Sequence, residues 1–262
     1  MSLNLSVKLI KKEELKSGIF KFTVDAKQMA EAAKPGQFLN IRCTDTIEPF
    51  LRRPISIYNI DKEAGILEFI FQVKGKGTDI LAKKEIGEYI DVLGPLGHGT
   101  FEVKEYKNIA ILGGGIGTFP LYELTKQLSK LTNVNTYLGF RNKDFVTLES
   151  EFEKVSNNLK ITTDDGSYGI HGFAIDAFKK DLEQRPFDMI FACGPLPMLK
   201  GIRALAIEKS IPCQISLEEK MACGVGACLG CAVKNINKEE HTHSYGHVCK
   251  TGPVFWAEEV EI

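Results

Sequence analysis

Four of the seven cysteines lie close together near the C-terminal end of the chain. Cys223, Cys228 and Cys231 follow the spacing Cys-x4-Cys-x2-Cys, and Cys249 comes further along. This spacing is typical of the plant-type ligand set of a [2Fe–2S] cluster. A zinc site is the alternative, but it more often pairs its cysteines in two CxxC knuckles, and only Cys228 and Cys231 form such a pair. The spacing therefore predicts an iron–sulfur cluster.

The residues between these cysteines favour the same interpretation. Gly224, Gly226 and Gly230 provide backbone that can take positive φ and approach a cluster closely, which other residues do only at a steric cost. Backbone N–H groups could then point at the sulfurs and tune the reduction potential.

Other possible metal ligands are weaker candidates. The histidines between the third and fourth cysteines, His241, His243 and His247, would suit a Rieske or zinc site, but four cysteines already complete a [2Fe–2S] cluster. A solvated loop is therefore favoured for them. Cys43 and Cys213 lack a metal-type spacing and are expected to be packing residues.

The composition narrows the class of protein. The chain has 262 residues and a formal net charge of −1, so it lacks the excess of basic residues that is typical of nucleic-acid-binding proteins. No apolar run approaches the roughly 18 residues of a membrane helix, and the N-terminus lacks the pattern of a signal peptide. An odd number of cysteines, four of them in one metal-type pattern, favours a reducing cytoplasm over a disulfide scaffold.

The first hundred residues alternate short apolar segments with turn residues. Six strands are predicted, with one helical interruption, at 6–10, 19–24, 37–42, 55–60, 66–72 and 89–93. Such a series favours a small antiparallel barrel. The glycine-rich turn at 94–99 ends the barrel, and His98 within it is expected to be a solvated loop residue.

Two stretches of this region stand out as candidate sites. Arg53, Pro54 and Ser56 begin a strand, although an exposed edge strand with a basic start is an alternative. Gly77 and Thr78 open a short helical stretch whose free N–H groups would suit a phosphate, although a plain hairpin turn that caps a helix is equally possible.

After Phe101 strands and helices alternate. Predicted strands cover 108–112, 134–140, 159–163, 188–193 and 212–217, and helices cover 148–155, 172–182 and 197–209. A further helix is indicated by Leu121, Leu124, Leu128 and Leu131 at helical spacing. The alternation predicts a parallel, doubly wound sheet, in which ligands bind at the carboxyl ends of the strands.

Three turns lie at those carboxyl ends. Gly113–Gly117 leads from a strand into a helix, but Thr118 stands where GxGxxG has its third glycine, so a tight turn without a ligand is the alternative. Cys193-Gly194-Pro195 would place a thiol beside the ring of a bound ligand. Alternatively, Cys193 is a buried packing residue. The acidic turn at 163–167 could accept bonds from ribose hydroxyls or be simply solvated.

In their order along the chain, these motifs resemble the ferredoxin–NADP reductase superfamily. The segment from Glu218 to Cys231, together with 248–255, narrows the resemblance to the electron-transfer subunits of two-subunit, NAD-dependent (B-type) dihydroorotate dehydrogenases. The resemblance covers essentially the whole chain. It implies an α+β multidomain fold with an FAD-binding β-barrel at 1–101, an NAD-binding doubly wound α/β domain at 102–215 and a [2Fe–2S] segment at 216–262.

The resemblance also implies roles for individual residues. Arg53 would bind the FAD pyrophosphate, Ser56 would lie near the reactive flavin nitrogen, and Cys193 would lie near the nicotinamide. The implied cofactor-binding set is Arg53, Pro54, Ile55, Ser56, Ile70, Phe71, Gln72, Gly77, Thr78, Gly113, Gly114, Gly115, Gly117, Cys193, Gly194 and Pro195, and the cluster ligands are Cys223, Cys228, Cys231 and Cys249. Gln72 departs from the family, in which a basic residue often stands at this position.

The nucleotide is expected to be NADH. The resemblance and the acidic pair Asp164 and Asp165 favour it, whereas Arg141, at the end of the second strand of the sheet, would suit the 2′-phosphate of NADPH.

The implied function is electron transfer from NADH, through FAD and the cluster, to an FMN-containing dihydroorotate dehydrogenase subunit in pyrimidine biosynthesis. The partners would form a heterotetramer of two plus two chains. A flavin is needed because NADH gives two electrons as hydride and the cluster accepts one at a time. No side chain need act as an acid or base. The alternatives are a stand-alone reductase that passes electrons to ferredoxin or another acceptor, and a zinc-stabilised binding module.

Overall fold

The computed structural model describes residues 3–236 and 243–262, so His241 lies outside the described residues. The chain forms two compact units. The first contains 1–100, 218–232 and 247–253, and the second contains 101–217, 233–246 and 254–262. The functional assignment of 1–101, 102–215 and 216–262 to flavin, nucleotide and cluster stays a prediction.

The first unit contains the predicted antiparallel barrel, which is confirmed. Its six strands follow the spatial order β1-β2-β5-β4-β3-β6 and close on each other. They are β1 (Leu3–Lys16), β2 (Ile19–Asp25), β3 (Phe38–Ile41), β4 (Arg53–Asp61), β5 (Ile66–Gln72) and β6 (Tyr89–Leu96). Phe22, Phe69 and Phe71 pack together inside, with ring centroids 5.1–6.3 Å apart.

Alternation along the barrel strands decides which side chains face outward. In β3, Leu39 and Ile41 belong to the barrel core, so Phe38 and Asn40 lie on the outer face. Two helices interrupt the strands where one was predicted: α1 (Lys27–Ala32) and α2 (Lys76–Ala82). The first escaped prediction because it has only six residues, too few for a helical period to be recognised.

The second unit contains the predicted parallel sheet. Its order is β10-β9-β8-β7-β11-β12-β15. The strands are β7 (Asn108–Gly114), β8 (Asn133–Phe140), β9 (Asn158–Thr163), β10 (Ile170–His171), β11 (Met189–Cys193), β12 (Cys213–Ser216) and β15 (Val254–Trp256). β7 and β11 are buried almost throughout, as expected for strands covered on both faces. The sequence did not predict β10 or the antiparallel edge strand β15, because both are very short.

Four helices accompany this sheet: α3 (Leu121–Leu128), α4 (Glu149–Glu153), α5 (Ala174–Leu182) and α6 (Leu196–Lys209). Leu131, predicted to lie on a helix, follows the end of α3 and is exposed. A smaller sheet has the order β14-β13-β16 and contains β13 (Ala232–Ile236), β14 (His243–His247) and β16 (Val260–Glu261). His243 and His247 therefore begin and end a strand rather than lying in the predicted loop. Within the described ranges, no helix has the length and apolar character needed to cross a membrane.

A charged network ties α5 to the sheet. Asp181 accepts hydrogen bonds from Tyr137 Oη at 2.8 Å, Lys160 Nζ at 2.6 Å and Arg185 Nη2 at 3.1 Å. Burial opposes ionisation of Asp181, but these bonds and the two positive charges outweigh it and hold its pKa below the ordinary 3.8. Ionisation of Asp181 is therefore more favourable in the folded chain than in the unfolded chain.

Asp181→Asn is expected to lower the free energy of unfolding by about 2 kcal/mol, because it removes one partner from a buried charged network. Since the folded pKa is depressed, this contribution is fully present above about pH 5 and is lost as pH falls through the folded value. Urea denaturation of both proteins across pH 3–7 measures the difference. A difference that stayed constant to the acid end would contradict the assigned ionisation.

Candidate functional site

The four predicted cluster cysteines belong to the first unit, together with the barrel. They form two pairs. The Cys223 thiol is within hydrogen-bonding contact of Cys228, and Cys249 is within the same contact of Cys231. Among the described residues, no three His, Cys, Asp or Glu side chains surround a single ion position. Two pairs match the ligand requirement of a [2Fe–2S] cluster, in which each iron takes two thiolates.

Backbone N–H groups of the segment 223–231, here called the cysteine loop, point at the sulfurs. Cys223 Sγ accepts from Val225, Ala227 and Cys228 at 3.4, 3.3 and 3.4 Å, and Cys249 Sγ accepts from Gly226 at 3.1 Å. Donors of this kind stabilise negative charge on a cluster and its ligands. Several N–H donors directed at the same sulfurs favour a cluster-binding loop over a loop without a ligand.

The same bonds set the acidity of the thiols. Burial opposes ionisation of Cys223, but the surrounding N–H groups and Cys228 lower its pKa to about 6. Burial and the neighbouring Cys231 thiol instead raise the pKa of Cys249 to about 12. The N–H groups thus favour the thiolate form of Cys223, which is the form that binds metal.

The local backbone explains why glycine is present between the cysteines. Gly224 and Gly226 have φ of 73° and 80°, and Leu229, with φ of 61°, adopts the same region without being glycine. A positive φ in a leucine is uncommon, and such strain concentrates at functional sites. The cysteine loop is thus shaped for its sulfurs rather than for the lowest backbone energy.

The segment 247–253, which carries Cys249, is attached to the end of β6. His98 N donates to the Lys250 carbonyl at 2.8 Å, and Gly99 N donates to the Gly252 carbonyl at 3.0 Å. The exposed His98 side chain lies in a loop, as predicted. The barrel therefore fixes the position of the fourth cysteine.

The predicted flavin residues divide between two faces of the barrel wall. Ile55 and Phe71 belong to the barrel core, so they could contact a ligand only through their backbone. Pro54 and Ser56 alternate with Ile55 on the outer face, and Ile70 and Gln72 flank Phe71 in the same way. Alternation thus leaves four of these six side chains outside the core.

The two adjacent arginines at the start of β4 differ in their partners. Arg52 donates to both carboxylate oxygens of Asp91, at 2.9 and 3.0 Å. Arg53 donates to the Leu51 carbonyl and has no carboxylate partner among the described residues. Its guanidinium lies over Gly77, since a Cβ on Gly77 would come within 2.7–2.8 Å of it. The Arg53 charge therefore remains available to a phosphate.

Thr78 has a local structural role. Its hydroxyl accepts from the backbone N–H groups of Lys74 at 2.9 Å and Gly75 at 3.3 Å, and donates to the Gly75 carbonyl at 3.0 Å. The hydroxyl thus holds the turn that leads into α2. A phosphate at this position would be bound by Arg53 and backbone N–H groups rather than by that hydroxyl.

In the second unit, two predicted turns lie directly against each other. A Cβ on Gly117 would lie 2.6–2.7 Å from backbone atoms of Cys193 and Gly194, and one on Gly114 would lie 2.8 Å from Pro195 Cδ. Gly113 packs similarly against Thr118. Gly115, with φ of 55°, has open space where its Cβ would be. The tight-turn alternative therefore accounts for three of the glycines, and Gly115 is the one beside which a ligand has room.

Gly117→Ala is expected to lower the free energy of unfolding by about 1–3 kcal/mol, because the added methyl group meets backbone that cannot yield. Gly201→Ala is the matched control: Gly201 lies inside α6, where a Cβ meets only the end of Ile175 at 3.3 Å. The control should be neutral or stabilising by about 0.5–1 kcal/mol. Equal denaturation midpoints for the two variants would contradict this packing.

The remaining candidates for nucleotide binding differ in burial and in hydrogen-bond partners. Cys193 is buried at the end of β11. Asp165 accepts from Ser167 N and Oγ at 2.9 and 2.6 Å, so its carboxylate already holds the turn. Asp164 and Arg141 are exposed. Cys43 and Cys213 are buried, as predicted for packing residues.

Asn40 was not predicted as a site residue from the sequence. Asn40 on β3 is fully buried, yet neither of its side-chain amide atoms has a hydrogen-bond partner among the described residues. No sequence motif contains it, and a polar residue on an outward strand position is ordinarily solvated. Only the folded chain shows that it is covered.

Comparisons with known proteins assign two regions of the chain to families. Residues 6–101 match the family model of the oxidoreductase FAD-binding domain, and residues 218–261 match that of the iron–sulfur cluster binding domain of dihydroorotate dehydrogenase B. A solved chain from a study of the NADH-dependent reduced ferredoxin–NADP oxidoreductase, a flavin-based electron-bifurcating enzyme, is 33% identical, with a TM-score of 0.86. That match covers 100% of this chain and 91% of the other.

Curated relatives extend the match along most of the chain. A protein of Bacillus cereus (strain Q1) is 40% identical over 256 residues, which is 96% of each chain. One of Desulforamulus reducens is 39% identical over 232 residues, or 88% of each. Both are named electron transfer subunit of dihydroorotate dehydrogenase B (NAD(+)). With paired cysteines, a flavin-type barrel and this degree of identity, the chain belongs to the family of dihydroorotate dehydrogenase B electron transfer subunits.

Proposed function

We propose that this chain takes electrons from NADH and passes them, through FAD and a [2Fe–2S] cluster, to the catalytic subunit of a dihydroorotate dehydrogenase. The observation that carries the proposal is that all four cluster cysteines belong to the same compact unit as the flavin-type barrel. A one-electron acceptor and a flavin site on one unit form an electron relay. When bound, FAD supplies the conversion between hydride chemistry and single electrons.

The chain's own residues bind and orient rather than transfer protons. Arg53 neutralises the FAD pyrophosphate, Gly77 leaves room for its guanidinium, and Pro54 and Ser56 present the outer barrel face to the flavin ring. In the second unit Gly115 gives a nucleotide access to the turn, beside Cys193, Gly194 and Pro195. For NADH, the exposed Asp164 is the candidate for a ribose hydroxyl, because the Asp165 carboxylate is engaged with Ser167.

The partner surface is proposed at the cysteine loop. Cys228 is exposed, and Val225 and Leu229 beside it are 45% and 60% exposed. Apolar side chains around an exposed cluster ligand suit a protein surface that receives the electron and excludes water. The partner would contain FMN, and two copies of each chain would form a heterotetramer. A reducing compartment, the cytoplasm, would keep the cluster cysteines from forming disulfides.

Purification of the chain with and without the dehydrogenase subunit tests the proposal. The chain should contain FAD and about two irons. The complex, but neither chain alone, should reduce NAD+ with dihydroorotate. Zinc in place of iron, without visible absorption, would contradict the cluster, and a complex inactive with dihydroorotate would contradict the partner.

A second candidate is a reductase for ferredoxin or another acceptor. It is favoured by the full-length match to the chain from the ferredoxin–NADP oxidoreductase study. Both functions use the same cofactors, so the acceptor distinguishes them. NADH-dependent reduction of ferredoxin by the purified chain, without a stable dehydrogenase complex, would select this candidate.

A further inference from the structure

Among the described residues, Asn40 is the one with two buried side-chain polar atoms that both lack a protein partner. Its exposed fraction is 0%, and both side-chain amide atoms lack a hydrogen bond among the described residues. Its backbone carbonyl, by contrast, accepts from Arg52 Nη1 at 3.3 Å. Buried polar atoms in proteins are almost always hydrogen-bonded, and an orphan costs the full desolvation of the group. The amide therefore indicates a partner that is not part of the polypeptide.

Two neighbours show where that partner lies. A Cβ on Gly224 would be 2.5 Å from Asn40 Nδ2, so the amide lies against the residue that follows the cluster ligand Cys223. On the other side, Asn40 is the register partner of Pro54, on the outer face assigned to the flavin. Asn40 thus lies between the flavin face of β4 and the base of the cysteine loop. All these residues belong to the first unit.

The direction of the amide NH2 group favours the cluster as that partner. Sulfide and thiolate sulfurs accept hydrogen bonds and donate none, so they need the NH2 side of the amide. That is the side that faces Gly224. We propose that Asn40 is a positioning residue of the cluster: its Nδ2–H group donates toward the sulfurs on the Cys223 side and raises the reduction potential of the cluster. The proposal rests on the proposed function, because it requires a cluster in this loop.

The expected effect follows from charge. Reduction adds one negative charge to the cluster, and an N–H donor stabilises the reduced form more than the oxidised form. Without the donor, electrons should remain longer on the flavin. Asn40 would therefore shift the distribution of electrons between the flavin and the cluster, without contact with NADH.

The test is a potentiometric titration of the FAD- and cluster-loaded chain, followed by electron paramagnetic resonance. Asn40→Leu replaces the amide with an apolar side chain that has the same branching and the same number of heavy atoms. We expect it to shift the equilibrium between reduced flavin and reduced cluster about tenfold toward the flavin, which is about 59 mV for one electron. Asn40→Asp, which replaces the donor with a carboxylate, should shift it further in the same direction. NADH-dependent flavin reduction should stay at the parent rate in both.

Asn59→Leu is the matched control, because this barrel asparagine already donates to Glu68 Oε2 at 2.9 Å. It should leave the cluster potential unchanged. A cluster potential equal to the parent's in both Asn40 variants would overturn the proposal, and so would joint loss of FAD and iron, which would mark Asn40 as a folding residue. Loss of iron with FAD retained would support a role at the cluster. A parent chain without any cluster would instead refute the proposed function.

Discussion

Cys228→Ser is expected to abolish electron delivery to the partner while NADH still reduces the flavin at close to the parent rate. Cys228 is the exposed member of the pair that it forms with Cys223. At neutral pH serine offers a hard, neutral hydroxyl, which is a poorer ligand for cluster iron than a thiolate. Even residues that only support metal ligands are worth about 10- to 100-fold in affinity, so loss of a ligand should cost more.

Flavin reduction should survive because the residues assigned to it lie on the barrel wall. Arg53, Pro54 and Ser56 belong to β4, whereas Cys228 lies in the cysteine loop. Stopped-flow absorbance with NADH measures flavin reduction, and dihydroorotate-dependent reduction of NAD+ by the complex measures delivery. Iron content should fall in parallel with delivery.

Cys43→Ala is the matched control for this experiment. Cys43 is a buried thiol of the barrel core whose pKa is raised by burial, and its thiol donates to the Ile41 carbonyl at 3.8 Å. It should retain iron and delivery with a modest loss of stability. If Cys228→Ser abolished flavin reduction as well, a linear relay from flavin to cluster would be wrong.

Arg53→Met is expected to weaken FAD binding about 10- to 100-fold, since a hydrogen bond between charged groups contributes roughly 1.5–3 kcal/mol. Arg53 lacks a carboxylate partner among the described residues, so its charge is free to meet a pyrophosphate. Titration of the deflavinated chain with FAD, followed by flavin fluorescence, gives the dissociation constant. The difference between the two proteins should shrink at high salt.

Two variants test the geometry behind this expectation. Arg52→Met removes the adjacent positive charge, but that charge is already paired with Asp91 at 2.9 Å, so FAD affinity should change little. Gly77→Ala adds a methyl group within 2.7–2.8 Å of the Arg53 guanidinium, which must swing aside. It should weaken FAD binding less than Arg53→Met. Equal losses from Arg52→Met and Arg53→Met would indicate a general charge effect instead.

The two halves of the fold could be predicted because each depends on a local period. Apolar alternation at 19–24 and 66–72 predicted β2 and β5, and alternating strands and helices after Phe101 predicted the parallel sheet. The misses have the same origin. α1, β10 and β15 are too short to complete a recognisable period. Leu131 continued the spacing of a helix that had already ended.

The site was predictable to the extent that its residues are neighbours in the chain. The spacing of Cys223, Cys228 and Cys231 is set by a single loop, so the sequence alone determined a cluster-type ligand set. It also determined the barrel and the parallel sheet. The resemblance to a family, carried by motifs in one order, supplied the expected function.

Contacts between distant segments were decided only by the tertiary structure. In the folded chain Cys231 pairs with Cys249, and Arg52 pairs with Asp91, whereas Arg53 has no carboxylate partner among the described residues. The Phe71 side chain points into the barrel core. The tertiary structure also covers Asn40 with the cysteine loop. The reason is physical: the partner of a charge or an amide depends on which strand lies beside it and which face it presents, and sequence spacing carries neither.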